Sequence, residues 1–230
     1  MTTERSSTAT VVDVRPLGPA DVAFAADLHA RCLPDGFFAV LGPGFLRAYY
    51  ASFARSPWAR CFLAEVDGCP AGTAVGVLDG WPHYRFVIRR FGWRLGPVAV
   101  AALAARPRLA GRFVRTRGRR YARGLVRLVR RRDPVAQRGA GGGPAGGGGE
   151  PEAVLAHLAV SPRFRRHGVG TALVEAVTAG ARAAGVARLR LLAPAGDAGV
   201  RHFYETLGWQ ETGRVVDADG KPWARYVRPA

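Results

Sequence analysis

The chain reads as one α/β domain in which a mixed central sheet is flanked by helices. Three observations predict this. Short apolar runs of strand character alternate with stretches of helical period. Two Asp-Gly pairs, Asp67-Gly68 and Asp219-Gly220, sit between apolar runs as hairpin turns. A loop bounded by glycine, "SPRFRRHGVG" at 161–170, joins a buried-strand pattern to an amphipathic run.

In chain order, "ATVVDVRPLG" (9–18) alternates like an edge strand. "GPADVAFAADLHARCL" (18–33) has helical spacing, with Asp21 near its start. "GPGFLRAYYASFARSP" (42–57) predicts a second helix, with Phe45, Tyr49 and Phe53 along one face. Residues 59–68 and 69–80 predict two strands that meet at Asp67-Gly68. After an interruption, "EAVLAHLAV" (152–160) predicts a buried strand and 169–185 a helix facing inward through Val169, Leu173 and Val177, stopped by Gly185. "ARLRLLA" (187–193) predicts a strand. A short helix follows, with Asp197 at its N-cap, Val200, Phe203 and Leu207 inward, and Gly208 at its end. Residues 209–229 predict a closing hairpin around Asp219-Gly220.

The interruption lies between the third and fourth strands and carries nearly all of the net charge. The chain has a formal charge of +17. Between Arg85 and Arg138 there are 17 arginines and one acid, Asp133, whereas the remaining residues hold 17 basic and 16 acidic side chains. We read 81–137 as an Arg-rich helical insertion and the glycine tract that ends it, 138–151, as a linker within a single domain of residues 1–230. At about 100° per residue, Tyr121, Leu125, Leu128 and Val129 share one face of 119–132, opposite Arg119, Arg120, Arg123, Arg127, Arg130 and Arg131. A solvated arginine face, a cover over an acceptor site, peripheral contact with a membrane surface and contact with nucleic acid all fit that helix. No base-reading motif accompanies it, which weighs against nucleic acid.

Other classes are excluded more simply. Cys32, Cys61 and Cys69 are odd in number, none stands in a C-x-x-C spacing and no histidines cluster with them. Neither a disulfide framework nor a metal site is expected. "MTTERSSTAT" lacks the apolar core of a signal peptide, and the longest nearly unbroken apolar run, 97–105, is too short to span a bilayer. A cytoplasmic protein is expected. Lys221 is the only lysine beside 33 arginines, as biased codon usage would give.

The 161–170 loop carries the chemistry. A strand that runs through a bare turn into a helix offers an anion the unpaired N–H groups of the first helical turn, where the helix dipole also favours negative charge. Gly168 and Gly170 remove side-chain bulk there, and Arg163, Arg165, Arg166 and His167 surround it. A polyphosphate is the expected ligand. Leu173 stands where the dinucleotide fingerprint needs glycine, and no Gly-Lys-Ser/Thr is present, so both of the commonest nucleotide loops are excluded.

"HLAVSPRFRRHGVGTALVEAV" resembles the acyl-CoA-binding signature of the GNAT (GCN5-related N-acetyltransferase) superfamily, Arg/Gln-x-x-Gly-x-Gly/Ala, with Arg165, Gly168 and Gly170 on its fixed positions. "DAGVRHFYETLGW" resembles that family's later signature, through Phe203-Tyr204 and Gly208-Trp209. The resemblance covers about 152–216, and the N-terminal strand, helices and hairpin agree in order. Residues 81–151 have no counterpart in the minimal family fold.

The resemblance implies a GNAT-type fold and an N-acetyltransferase that moves an acetyl group from acetyl-CoA, its co-substrate, to a primary amine by direct attack. It implies that the N–H groups of Arg166, His167, Gly168, Val169, Gly170 and Thr171 hold the CoA pyrophosphate, with Arg165 beside them. It also implies that Leu158, Ala159 and Val160 pair with the pantetheine, and that Tyr204 protonates the departing thiolate. With an ordinary pKa near 10, a tyrosine at that place stays protonated at neutral pH. Asp197 stands where the family often has a CoA-contacting asparagine. The family's usual strand base falls on Val154 or Ala156, which cannot take a proton. His157 is of the opposite strand parity and reaches that face only if a bulge turns it. A catalytically silent CoA sensor that uses the arginine face for nucleic acid or membrane is the alternative. The sequence names neither the acceptor, a small molecule or a protein, nor the oligomeric state.

Overall fold

Strand β1 (Val12–Pro16) enters along the edge of the sheet and leads into a 3-10 turn (Pro19–Asp21) and helix α1 (Val22–Cys32). The protein is described here from a computed structural model, which covers residues 11–34, 36–115, 152–217 and 219–230. Helices α2 (Phe37–Val40) and α3 (Pro43–Ala54) follow, then β2 (Ala59–Val66) and β3 (Cys69–Val77). Helices α4 (Gly80–Ala104) and α5 (Pro107–Phe113) precede β4 (Glu152–Val160). The chain then makes a 3-10 turn (Pro162–Phe164), α6 (Val169–Ala183), β5 (Arg188–Pro194), α7 (Ala198–Thr206), β6 (Gln210–Val216) and β7 (Pro222–Pro229).

The seven strands form one mixed sheet in the order β1-β2-β3-β4-β5-β7-β6. Only β4 and β5 pair in parallel. Alternation of side chains sorts the sheet residues into two cores. Ala74, Ala153, Leu155, Leu189 and Leu191 face α6 through Leu173, Val174 and Val177. Val75, Val77, Val154 and Ala156 face the other way, onto Ala25, Ala26, Leu46, Tyr50 and Phe53 of α1 and α3. The first hairpin turns at Asp67 (φ 50°) and Gly68 (φ 74°), the left-handed pair that a two-residue connection requires. The seven strands, the flanking helices and the α/β class agree with the sequence reading.

Helix α4 runs unbroken through Gly92, Gly96 and Pro97, residues of low helix propensity. Burial is the reason. Val87, Phe91, Leu95 and Ala99 recur every fourth residue and pack on Leu41, Phe45 and Ala48, so a third core overrides local propensity. Asp79 caps the first turn by accepting from the Trp81 N–H at 3.1 Å. Basic side chains at Arg89, Arg90 and Arg94 point to solvent. The amphipathic helix expected at 119–132 and the linker at 138–151 lie outside the described residues.

Candidate functional site

Strand β4 is the centre of the site, and two irregularities define it. The first is a gap. β4 and β5 pair only over Glu152–Arg188, Ala153–Leu189 and Val154–Arg190. Beyond these rungs β4 stays with β3 as far as Val160, and β5 stays with β7 as far as Pro194. The sheet therefore splits into a wedge, and the β5-side backbone of β4 beyond Val154 is left without its strand partner. Leu158, Ala159 and Val160 lie on this free edge. The Val160 carbonyl, at the wide end, accepts from Arg165 Nε at 3.4 Å and lies 3.6 Å from the Cys32 thiol.

The second is a bulge. Val75 pairs with His157 but Gly76 pairs with Leu155, which leaves Ala156 as an extra residue. Strict alternation would turn His157 toward α6. The bulge puts it on the α1/α3 face instead, together with Val154 and Ala156. There His157 Nε2 lies 3.0 Å from the Tyr49 hydroxyl, and its ring stands edge-on to His29 at 4.8 Å. His29 Nδ1 lies 3.0 Å from the Tyr50 hydroxyl. Burial, with a smaller contribution from His29, pushes the His157 pKa down to about 3. Burial also lowers that of His29. Both rings are neutral at physiological pH, so His157 and Tyr49 share a neutral hydrogen bond. His29, Tyr49 and Tyr50 belong to the site's surroundings by the fold alone, since Tyr49 and His157 are 108 positions apart in the chain.

At the wide end of the wedge the 161–168 loop turns into α6. Arg166 (φ 67°) and Gly168 (φ 76°) are both left-handed, with Arg165 extended between the 3-10 turn and Arg166. The His167 ring donates through Nδ1 to the Arg165 carbonyl at 2.8 Å, which ties the loop to itself. This arrangement turns successive N–H groups outward, and those of Val169, Gly170 and Thr171 have no partner within the helix. Arg165, Arg166, His167 and Thr171 are exposed around them. The Arg163 guanidinium stacks on the Phe164 ring at 4.3 Å. The two glycines are needed for different reasons. A Cβ on Gly168 would meet open space, so its left-handed φ is the requirement. A Cβ on Gly170 would come within 3.2 Å of Phe203, so close packing of α7 on the first turn of α6 is the requirement.

Helix α7 brings the remaining candidates. Asp197 Oδ1 accepts from the Val200 N–H at 3.0 Å and caps α7. Tyr204 is buried between Phe203, Trp209 and Tyr226, with ring centroids 5.0 to 5.8 Å away. Burial, then the Tyr226 phenol, raises its pKa to about 12, so its hydroxyl keeps its proton. Among the described residues no group of three or more His, Cys, Asp or Glu is placed to hold a metal ion. Among them, too, no helix is long and apolar enough to cross a membrane.

The loop that carries the first signature thus stands at the wide end of the split between β4 and β5. Residues 122–209 match the model of the Acetyltransferase (GNAT) family. The matched stretch is similar to a GNAT domain, and solved acetyltransferase structures share the fold of the chain. The ribosomal-protein-S18-alanine N-acetyltransferase from Escherichia coli is similar at 16% identity, over 95% of this chain and 94% of that one, with a TM-score of 0.53. Ard1 from Thermoplasma volcanium is similar at 17% identity, over 95% and 97%, with a TM-score of 0.52. A putative acetyltransferase of the GNAT family from Desulfovibrio desulfuricans is similar at 15% identity, over 95% and 99%, with a TM-score of 0.54. No curated protein matches the chain.

Proposed function

We infer that this chain is an N-acyltransferase of the GNAT type that moves an acetyl group from acetyl-CoA to a primary amine. The observation that carries this is the wedge between β4 and β5, which opens directly onto the left-handed loop at the start of α6. One end offers strand edge and the other offers N–H groups. A ligand that is amide-rich at one end and polyphosphate at the other fits both, and CoA has that shape.

Acetyl-CoA supplies the acyl group as a thioester. On this reading the N–H groups from Arg166 to Thr171 hold its pyrophosphate, helped by the Arg165 and Arg166 side chains. The free edge at Leu158, Ala159 and Val160 pairs with the pantetheine amides. An N–H near the Ala156 bulge faces the thioester carbonyl and stabilises charge developing on its oxygen. A neutral amine forms the new C–N bond as the C–S bond breaks, and the Tyr204 O–H donates its proton to the departing sulfur. The amine proton leaves on the acceptor side, where His157 and Tyr49 form a neutral hydrogen-bonded pair. With its basicity so depressed, His157 passes a proton on rather than holding it, so the amine must arrive uncharged. The test is incubation of the full chain with acetyl-CoA and a panel of amines, with free thiol and acetylated amine both measured. Amine-dependent thiol release with matching acetylated product is the expected result, and its absence across the panel would overturn the reading.

A further inference from the structure

The face of β5 and β7 away from α6 holds three arginines that the acyl-CoA site does not use, Arg188, Arg190 and Arg225. Leu191 opposes Tyr226 and Ala193 opposes Ala224, and all four point into the α6 core. Their neighbours Arg190, Leu192, Trp223, Arg225 and Val227 therefore point to the opposite face, which β4 joins through Glu152, Val154 and His157. Leu192 is 47% exposed and Arg225 is exposed, so this part of the face is open.

Arg190 pairs with Val154, on the last rung before the wedge opens. Its side chain is only 12% exposed, its Nε is 3.6 Å from Glu152, and its Nη2 is buried without a hydrogen-bond partner. Arg225 opposes Leu192, diagonally adjacent on the next strand. Burial first, and then the charge of Arg225, oppose the charge on Arg190, while Glu152 favours it. With Arg188 cross-strand from Glu152 on the same face, cations outnumber the one carboxylate, which is itself 34% exposed. A buried guanidinium N–H without an acceptor has lost the hydrogen bond that water gives it in the unfolded chain, which disfavours this arrangement. A planar monoanion that accepts from both guanidiniums, with that of Arg190 turned outward to meet it, supplies the missing acceptor and offsets the excess of positive charge.

We propose that Arg190 and Arg225 form a carboxylate-binding subsite beside the acyl-transfer wedge, and that the acceptor is an amine that also carries a carboxylate. The subsite takes its meaning from the acyl-transfer reading above. Along β4 from Val154, level with Arg190, to His157 is about 7–10 Å, so amine and acid stand several bonds apart.

The test uses the full chain saturated with CoA, titrated calorimetrically with N-acetylglycine, N-acetyl-β-alanine and N-acetyl-6-aminohexanoate, each against its own primary amide. At least one acid binds, at least tenfold more tightly than its amide. Arg190→Gln and Arg225→Gln each weaken the acid at least tenfold and leave CoA affinity unchanged. Arg225 is exposed, so its variant keeps the test valid if Arg190→Gln lowers the melting temperature. Equal binding of acid and amide, no binding of any acid to the wild type, or unchanged binding by both variants would overturn the subsite. Selective binding of an acid without acetylation of any amine would instead keep the subsite and remove the acyl-transfer reading.

Discussion

His157 Nε2 and the Tyr49 hydroxyl stand 3.0 Å apart on the face of the sheet covered by α1 and α3, although His157 follows Ala156 onto that same face. Two successive residues share one face only because β4 bulges against β3 at Ala156. The bulge places a neutral imidazole where the side chains of Val154 and Ala156 offer no proton acceptor. If His157 carries the amine proton onward, His157→Gln lowers kcat by about 10²-fold and leaves acetyl-CoA affinity within a factor of two. Steady-state rates at saturating acetyl-CoA, with calorimetric CoA binding, check this. An unchanged kcat removes His157 from the chemistry.

The buried histidines also predict how stability varies with pH. The His157 pKa is pushed down to about 3 and that of His83 to about 4, both chiefly by burial, and burial lowers that of His29 too. His83 is packed on Phe53 and hydrogen-bonded to Ser56 Oγ at 2.9 Å. Each ring binds a proton more readily in the unfolded chain, near pH 6.5, than in the folded one. Stability from neutral burial is thus whole above pH 6.5 and falls as pH drops toward 4. Each ring contributes up to about 1.4 kcal/mol per pH unit of that fall. Chemical denaturation at pH 7.5, 6, 5 and 4.5 should show the decline, and His83→Asn should flatten it. A flat profile down to pH 4.5 would contradict this account.

Tyr204 tests the other side of the reaction. Its hydroxyl stays protonated because burial raises its pKa to about 12, which is the state a proton donor needs. Tyr204→Phe keeps the ring that packs on Trp209 and Tyr226 and removes only the donor. Turnover should fall by about 10²-fold with CoA affinity and melting temperature little changed. A wild-type rate would leave Tyr204 a core aromatic and nothing more.

Most of this fold is legible in the sequence, for identifiable physical reasons. The Asp67-Gly68 turn, the edge strand at Val12–Pro16 and the Asp197 cap are set by residues close in the chain, and local chemistry reads them directly. The 161–170 loop was readable because Gly168 marks its left-handed backbone, although the need for Gly170 comes from Phe203, which only the packing of α7 reveals. The continuity of α4 through Pro97 is not legible in the same way, because it rests on the burial of Phe91 and Leu95 against α3 and not on a local signal. The facing of His157 was undecidable, since one unpaired residue against β3 reverses it. Pairing of Arg190 and Arg225 across a face needs the strand order β5-β7, which skips a strand in sequence.

Gly76 makes a packing prediction independent of catalysis. It opposes Leu155 beside the bulge, and a Cβ there would lie 2.6 Å from Val177 Cγ1 of α6. Helix α6 rests on β3 at the distance that a missing side chain allows. Gly76→Ala should destabilise the fold by about 1–3 kcal/mol, the usual cost of overpacking. Val177→Ala in the same chain removes the colliding methyl and should recover part of that loss. Urea midpoints of the two single variants and the pair measure it, and strictly additive losses would show that the contact is not the cause.

Gly170 joins packing to cofactor binding. A Cβ at this position would meet Phe203 at 3.2 Å, so Gly170→Ala pushes α7 and the first turn of α6 apart. The N–H groups proposed to hold the pyrophosphate belong to that turn. The variant should therefore bind CoA about tenfold or more weakly, because charge-assisted hydrogen bonds depend steeply on donor direction. A smaller residue opposite, Phe203→Leu, makes room for the methyl group and should restore much of the affinity when combined with Gly170→Ala. Gly168→Ala has no such rescue. Its Cβ meets nothing, and its loss comes from φ 76°, which a second substitution cannot relieve. Calorimetric CoA affinities of the three single variants and of each glycine variant combined with Phe203→Leu separate the two causes, and equal rescue of both glycine variants by Phe203→Leu would refute the distinction.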